Sequence, residues 1–147
     1  MTCPFCELIS KKTERVLLET KNSFVVLSSP KLMPGHLLAI PKRHVERLAE
    51  LNHDELQDII SLTIKIQEFI LKEIAPGCDI CEHFRPFIPD NSFKVSHLHI
   101  HIRPRFLNDD LYKKSQIFEK DVFKNIDEQE FKKYSELLSK YYENNSN

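Results

Sequence analysis

Five short apolar stretches of the chain predict five β-strands, and in the last and clearest of them apolar residues alternate with histidines. Each stretch is bounded by turn residues such as Lys21-Asn22, Pro34-Gly35 or Pro76-Gly77. The predicted strands cover residues 15–19, 23–28, 36–40, 78–84 and 97–103. Strands and helices do not follow one another in βαβ order. The pattern therefore predicts the α+β class, with an antiparallel sheet.

Two further stretches repeat their apolar residues at a spacing near 3.6, which predicts two helices. Asn52 caps the first, long helix, with Glu55 in the capping-box position, and a Pro-Gly pair ends it. Its predicted buried row is Leu56, Ile59, Ile60, Thr63, Ile66 and Ile70. The second helix is predicted to start at Asp127, with Glu130 in the capping-box position. Its predicted inward-facing row is Phe131, Tyr134, Leu137, Leu138 and Tyr141.

Composition and charge narrow the classes of function. The chain has 147 residues, of which 41% are hydrophobic and 29% charged, as in an ordinary globular domain. A net charge of -1 gives no global field to attract nucleic acid or an anionic membrane, so an anion site has to be local. No stretch has the apolar length of a membrane span or the core of a signal peptide. We therefore expect a cytoplasmic protein with no membrane and no nucleic-acid polymer as partner.

The glycine and cysteine contents exclude some sites and suggest others. With only two glycines, the chain lacks a phosphate-binding loop of the Walker or Rossmann kind. Its four cysteines form two Cys-x-x-Cys pairs, Cys3/Cys6 and Cys78/Cys81, and in a cytoplasmic chain metal binding or buried thiols are favoured over disulfides. The odd spacing of Cys78 and Cys81 on a strand places them on opposite faces, which makes them poor joint ligands.

Three histidines alternate with apolar residues on the last predicted strand, His97-Leu98-His99-Ile100-His101-Ile102. Because neighbouring strand residues point to opposite faces, the apolar residues enter the core and the three imidazoles line the other face. Four interpretations fit this row: a chance surface pattern, metal ligands, an anion-binding surface, and nucleophilic catalysis at phosphorus. All three histidines bind one metal ion only if the strand bends strongly.

The row and three other stretches together resemble the histidine-triad (HIT) superfamily. The row is followed by Arg103-Pro104-Arg105 and preceded, in order, by the stretches at residues 3–9 and 34–42 and by His44. The resemblance covers residues 1–106 and implies a domain with a five-stranded antiparallel sheet and one long helix. It also implies a homodimer with a ten-stranded sheet. We expect residues 107–147 to form an extension whose helix packs on the same domain.

The resemblance also implies roles for individual residues. His97, His99 and His101 are the expected catalytic set, with His99 as the nucleophile that attacks the α-phosphorus of a nucleotide. His101 and His36 are expected to bind the phosphate oxygens. No organic cofactor is implied. In several branches of the superfamily the positions of Cys3, Cys6, His44 and His97 bind structural zinc, and two thiolates with two imidazoles complete a tetrahedral site. The alternative is that the cysteines are small buried residues.

The chain departs from the family pattern at positions that contact substrate. Ser28 stands where relatives carry Asp or Asn for the ribose, Lys94 replaces a small hydroxyl residue, and Arg103 replaces an apolar residue. We include these three among the expected substrate-binding residues. With Arg85 and Arg105, Lys94 and Arg103 are expected to form a positive rim that favours dinucleoside polyphosphates. His53 and His83 are interpreted as structural residues.

The sequence favours a nucleotide hydrolase, and three alternatives stay open. A nucleotidyl transferase uses the same covalent intermediate with another acceptor. A non-catalytic nucleotide-binding or interaction module keeps the triad for binding only. A metalloenzyme uses the triad as ligands.

Overall fold

The computed structural model describes residues 3–91, 94–111, 113–114, 124–125 and 127–145. The chain divides into two compact units, Met1–Tyr112 and Lys113–Asn147. The first unit contains the sheet and all candidate site residues. The predicted boundary at residue 106 and the packing of the last helix on the first domain stay predictions.

A five-stranded antiparallel sheet forms the centre of the first unit, as predicted. Its strands follow the spatial order β1-β2-β3-β5-β4, so β1 and β4 are the edges. The strands are β1 (Val16–Glu19), β2 (Ser23–Leu27), β3 (Leu37–Pro41), β4 (Gly77–Glu82) and β5 (Ile100–Arg105). Each expected strand is present, with its bounds shifted by at most three residues. The last strand is the most displaced, since it begins at Ile100 rather than His97.

The long helix α2 (His53–Glu73) packs on one face of the sheet. Its start is the predicted capping box: the Asn52 side chain accepts from the Glu55 amide, and the Glu55 carboxylate accepts from the Asn52 amide. The buried core between helix and sheet consists of Val25, Leu37, Ala39, Ile59, Leu62, Ile66, Ile70, Ala75, Ile100 and Ile102. Two predictions were wrong here, because Leu56 and Ile60 are exposed while Leu62, not predicted, is buried. The apolar residues of α2 cover two neighbouring stripes, and only one faces the sheet.

A short helix, α1 (Pro4–Ser10), covers part of the opposite face of the sheet. Its Leu8 joins Phe24, Val26, Leu38 and Ile40 in a second buried cluster. The sequence did not predict α1, because seven residues carry too little periodic pattern. Proline at the first helical position fits a helix start, where its missing N–H needs no partner. Helix α1 does not cover the part of this face along β5, where His101 lies.

The second unit contains the helix α3 (Glu128–Asn145), which begins one residue after the expected Asp127. The Asp127 side chain accepts from the Glu130 amide, as expected of a cap. Phe131, Tyr134, Leu137, Leu138 and Tyr141 lie along this amphipathic helix. That they face inward depends on the expected packing on the first domain, and it stays a prediction. In the described part of the chain, no helix combines the length and apolar character needed to cross a membrane.

Candidate active site

His101 occupies one face of the sheet and its apolar neighbours Ile100 and Ile102 the other, as predicted, whereas His97 and His99 precede β5. Leu98, Ile100 and Ile102 are buried, the last two in the core under α2. The segment before β5 leaves the ladder, and the Leu98 amide donates to the Val45 carbonyl at 2.6 Å. This departure separates the three histidines. His97 turns towards α1, while His99 and His101 line a cavity of about 610 Å³.

The ring of His99 is held by the main chain. Its Nδ1 lies 2.6 Å from the carbonyl oxygen of His97. A carbonyl oxygen only accepts, so Nδ1 is the donor and carries the ring proton. Burial lowers the pKa of His99, which favours the neutral ring. A neutral ring with its proton on Nδ1 has its lone pair on Nε2, which makes Nε2 a nucleophile.

Two further imidazoles form a hydrogen-bonded pair beside His99. The Leu32 amide donates to His36 Nδ1 at 3.2 Å, and His36 Nε2 lies 2.9 Å from His101 Nδ1. Since His36 Nδ1 accepts, the proton of the neutral ring is on Nε2, which donates to His101. The proton of a neutral His101 is then on its own Nε2. This chain of donors leaves His101 Nε2–H available for an acceptor such as a phosphate oxygen.

The environment keeps this pair neutral at physiological pH. Burial, with the charge of Arg103 next in importance, lowers the pKa of His36 to about 4. Burial, followed by the neighbouring His99 and His36, lowers the pKa of His101 to about 3. Both values lie well below the usual 6.5 of histidine, so the donor–acceptor pattern described above holds at pH 7.

A glycine fixes the approach to His36. Gly35 has a φ of +75°, a conformation that strains residues with a side chain. A Cβ added there would lie 3.1 Å from Pro104 Cγ. The Pro-Gly pair therefore sets the direction in which β3 begins, and with it the position of the buried His36 ring.

Four side chains meet between α1 and the sheet in the arrangement of a metal site. The potential ligand atoms of Cys3, Cys6, His44 and His97 all lie within 4.8 Å of one another. His97 Nδ1 is 3.3 Å from Cys3 Sγ and 3.6 Å from Cys6 Sγ, and His44 Nδ1 is 3.5 Å from Cys6 Sγ. Ligands at usual zinc distances in a tetrahedron have N···S separations of about 3.6 Å. The residues therefore fit zinc in both chemistry and spacing.

The orientation of His97 agrees with a ligand role. Its Nε2–H donates to the Pro41 carbonyl at 2.9 Å, so the lone pair is on Nδ1 and faces both thiols. A second hydrogen bond of this kind is the usual way in which a protein orients a metal-binding imidazole. His97 thus joins the two sites, since its ring faces the cysteines and its carbonyl holds His99.

Helix α1 also supplies a wall of the cavity. The Phe5 ring makes edge contacts with His97 and His99, at centroid distances of 5.7 and 5.3 Å. Because Cys3 and Cys6 flank Phe5, a metal ion bound there would hold this ring against His99.

The cavity is lined by cations and contains no carboxylate among its described lining residues. Arg15, Lys31, Arg85 and Lys94 contribute to the lining, and none of the first three forms an ion pair with another described residue. Lys94 Nζ lies 3.0 Å from Asp90 Oδ1 and 2.9 Å from Ser96 Oγ. In a near-neutral protein, this excess of positive lining residues marks an anion site.

The structure places the other expected substrate residues differently. Ser28 lines the cavity, and its hydroxyl donates to the Pro30 carbonyl at 2.7 Å. Arg103 lies outside the cavity lining, mostly buried, with a guanidinium nitrogen 3.9 Å from Asp79. Its position indicates an effect through charge on the histidines rather than contact with substrate. Arg105 is also not part of the expected rim, because it is buried and bound by Asp79 and Asp109.

His83 is a site residue that sequence reasoning missed. Its ring lies 5.1 Å from the His101 ring at an interplanar angle of 36°, and it lines the same cavity. The sequence interpreted His83 as a structural residue and did not predict this position beside His101. Pairing of Cys81 with His101 puts positions 81 and 83 on the histidine face. Cys78 packs on the core of the other face, so the prediction of opposite faces for the two cysteines is confirmed.

A family model places the chain among proteins with this arrangement. The model of the HIT domain matches residues 10–108, which include the sheet, α2 and the histidine row. The chain belongs to the HIT family. The expectation from the motifs is thereby confirmed.

Curated relatives of the HIT domain include named enzymes. The bis(5'-nucleosyl)-tetraphosphatase [asymmetrical] of Schizosaccharomyces pombe is 34% identical over 62% of this chain, which spans about half (49%) of that protein. The adenosine 5'-monophosphoramidase hnt1 of the same organism is 30% identical over 71% of this chain and 75% of its own length. An uncharacterised HIT-like protein of Methanocaldococcus jannaschii is 31% identical over 73% of this chain and 81% of its own.

Solved structures confirm the fold. A HIT family protein from Bacillus anthracis str. 'Ames Ancestor' matches with a TM-score of 0.71 at 20% identity, over 95% of this chain and 96% of that chain. A member of the HIT family from Bacillus subtilis has the same TM-score at 22% identity, with the same coverage.

Proposed function

We propose that this protein hydrolyses dinucleoside polyphosphates through a covalent nucleotidyl intermediate on His99. The observation that carries the proposal is the free lone pair of His99 Nε2, fixed by the hydrogen bond between Nδ1–H and the His97 carbonyl. The neighbouring His101 offers an N–H donor to the phosphate oxygens. The arrangement suits displacement at phosphorus, in which one imidazole attacks and others stabilise charge.

The reaction has two displacements. In the first, the His99 Nε2 lone pair forms a bond to the α-phosphorus, and the bond from phosphorus to the leaving phosphate oxygen breaks with its electron pair. The leaving nucleoside polyphosphate departs as an anion. In the second, a water oxygen attacks the same phosphorus, the N–P bond breaks, and the electron pair returns to Nε2. Water loses a proton to solvent, and the products are a nucleoside monophosphate and the free imidazole.

The cations of the cavity support a substrate with several phosphates. Lys94 and Arg85 lie on the β4 side of the histidines, where a phosphate chain leaving His99 would extend. Each added phosphate charge gains attraction from such a cluster, and salt weakens the gain. The leaving group of a phosphoramidate is an amine, which carries no phosphate charge for these cations to attract.

We propose structural zinc at Cys3, Cys6, His44 and His97. When bound, the ion would fill all four positions of its tetrahedron with protein ligands and act by stabilising the fold. It would hold α1 on the sheet, and Phe5 with it.

We also propose a homodimer that joins two copies through β4. This strand is an edge of the sheet, and its Ile80 is exposed on the same face as α2. The helix continues this apolar surface with Leu56, Ile60 and Ile64, spaced one turn apart and all exposed. Pairing two copies through β4 would satisfy the unpaired backbone groups of this edge and bury the apolar surface beside it.

Trapping the intermediate tests the proposed function. The protein is mixed with a dinucleoside tetraphosphate labelled at both α-phosphates and quenched in alkali, where N-phosphoryl histidine is stable. We expect label on His99 in the wild type and none in His99→Ala. Absence of both label and turnover, with substrate still bound, would point to the non-catalytic binding module. Loss of metal in His99→Ala would point to the metalloenzyme, whereas the proposed site keeps its zinc in that variant.

A further inference from the structure

The cavity extends across the sheet on both sides of the catalytic histidines. Its lining includes Arg15, just before the edge strand β1, and Arg85, just after the other edge strand β4. Four strand spacings separate these edges, roughly 19 Å. His36 precedes β3 and His101 lies on β5, so the reacting centre is between the two ends.

Cations occupy both ends of this cavity. Arg85 and Lys94 lie at the β4 end. Arg15 and Lys31 lie at the β1 end, where they join Ser28 and Ser29 in what we call the β1–β2 rim. Both cations of the rim are exposed, and neither forms an ion pair with another described residue. The rim therefore presents two positive charges with no carboxylate in the lining to neutralise them.

The apolar lining of the cavity is also concentrated at the β1 end. Ile88 and Val95 line the cavity elsewhere, but most of its apolar lining comes from α1, β2, the loop after it and β3: Phe5, Leu8, Val26, Leu27, Leu32 and Leu38. A nucleobase and its ribose are the part of a nucleotide that an apolar surface of this kind accommodates. The nucleoside half then lies at the β1 end and the leaving phosphates at the β4 end. A neutral nucleoside gives the two cations of the rim nothing to bind.

We propose that the β1–β2 rim is a second anion subsite, which binds a phosphate monoester carried on the ribose of the nucleoside half. The proposal rests on the proposed function, since that function fixes which end receives the nucleoside. A phosphate monoester carries a charge of about -1.5 to -2 at pH 7, which two unpaired cations match. The substrate class is accordingly a nucleotide phosphorylated at its 2′ or 3′ oxygen as well as at its 5′ oxygen.

Binding of product-like ligands tests the subsite directly. Calorimetry on the intact chain compares AMP with adenosine 2′,5′-bisphosphate and adenosine 3′,5′-bisphosphate. We expect at least one bisphosphate to bind about tenfold more tightly than AMP at low salt, and the difference to shrink as salt rises. The double variant Arg15→Gln/Lys31→Gln should bind AMP and both bisphosphates with similar affinity, so that the preference is lost. Lys65→Gln, which removes an exposed lysine of α2 on the other face of the sheet, should keep it.

Two results would overturn the subsite. One is equal affinity for AMP and both bisphosphates. The other is a complex with the 5′-phosphorylated dinucleotide pApA that is as tight as the complex with a bisphosphate. The ribose phosphate of pApA is a diester, so this result would mean that the rim binds the end of a nucleic-acid strand.

Turnover separates the subsite from the proposed function. Coenzyme A and dephospho-coenzyme A differ only by a 3′-phosphate, and NADP and NAD differ only by a 2′-phosphate. A higher kcat/KM for the phosphorylated member of a pair, lost in the double variant, supports the subsite. If the double variant instead lowers kcat/KM for a dinucleoside tetraphosphate and the bisphosphates bind no better than AMP, the rim holds the phosphate chain and the proposal is wrong. A bisphosphate preference without turnover of any substrate would leave the subsite standing and refute the hydrolase.

Discussion

His99 Nδ1 and the carbonyl oxygen of His97 are 2.6 Å apart, and this contact decides which nitrogen of the nucleophile is free. In many enzymes a carboxylate orients the catalytic imidazole. Here a neutral carbonyl two residues earlier does so. Burial has the largest effect and lowers the pKa of His99, while the hydrogen bond to the His97 carbonyl and the charge of Glu82 raise it by less. The result is an imidazole that stays unprotonated and ready to attack at neutral pH.

Removing the nucleophile should separate the roles of the histidines. We expect His99→Ala to lower kcat by more than about 10⁴-fold, because the covalent path is lost. His101→Ala should cost about 2–4 kcal/mol in transition-state stabilisation, the size of one lost oxyanion donor. His36→Ala should cost less, because its Nε2–H donates to His101 rather than to the phosphate. Steady-state kinetics measure both effects, and melting temperatures check that each variant is folded. Comparable losses in all three variants would argue against a special role for His99.

Zinc content should depend on Cys6 but not on Cys78. We expect one zinc per chain in the native protein, none in Cys6→Ser, and one in Cys78→Ser. Chelation should lower the melting temperature more than it lowers the activity measured on the protein that stays folded, because the four ligands leave no open position for substrate. Metal analysis measures the zinc content, and thermal denaturation measures the melting temperature. A native protein that contains no zinc and gains no stability from added zinc would contradict the assignment.

Stability should fall between pH 6.5 and pH 4. His36 and His101 have folded pKa values of about 4 and about 3, below the usual 6.5 of an unfolded chain. The unfolded state therefore binds protons first as the pH drops, which favours unfolding by up to about 1.4 kcal/mol per pH unit for each histidine. This contribution is complete above pH 6.5 and is lost as the pH falls towards the folded values. Denaturant titrations at several pH values in this range give the free energy of unfolding. That free energy should fall less steeply with decreasing pH in His36→Gln than in the wild type. The exposed His53→Gln serves as control and should keep the slope.

Lys94 should contribute to the preference for polyphosphates. We expect Lys94→Ser to lower kcat/KM for a dinucleoside tetraphosphate by about tenfold at low salt and by less at high salt, with a smaller effect on a phosphoramidate. Lys94→Arg keeps the positive charge but alters the contacts to Asp90 and Ser96. It should retain most of the activity if the charge is what matters. Lys65→Ser is the control. If the phosphoramidate is the better substrate, the charge argument fails.

Charge introduced at β4 should produce monomers. We expect Ile80→Lys to prevent association of two copies, since it places a charge in the centre of the proposed apolar interface. Leu17→Lys is the matched control, because Leu17 is an exposed leucine on the other edge strand, β1. Sedimentation equilibrium gives the oligomeric state. A monomeric wild type, or dimers of Ile80→Lys, would rule out this interface.

Local patterns predicted the parts of the fold that depend on local rules. The alternation gave the correct faces for Ile100, His101 and Ile102, because a strand has a period of two. The capping box at Asn52 gave the start of α2 because both of its partners lie within one turn. The buried face of α2 was only partly predicted, since the helix has two apolar stripes and the sequence does not say which one meets the sheet.

The rest of the site depends on contacts between distant residues. His83 meets His101 only because β4 pairs with β5 in one register, with Cys81 opposite His101. Arg103 is removed from the cavity by its neighbour Asp79 on the adjacent strand. Neither contact has a signal in the spacing of residues along the chain. The Cys3, Cys6, His44 and His97 group was found in advance because the family resemblance, not the spacing, brought those residues together.

Helix α1 makes the amino-terminal part of the described chain a wall of the proposed active site. Phe5 touches His99 and lies between two potential metal ligands, within a helix of only seven residues. An affinity tag fused directly before Cys3, or a protease cut in the first turn of α1, would therefore disturb the imidazole that we propose as the nucleophile. An activity measured on amino-terminally tagged protein would then depend on the tag.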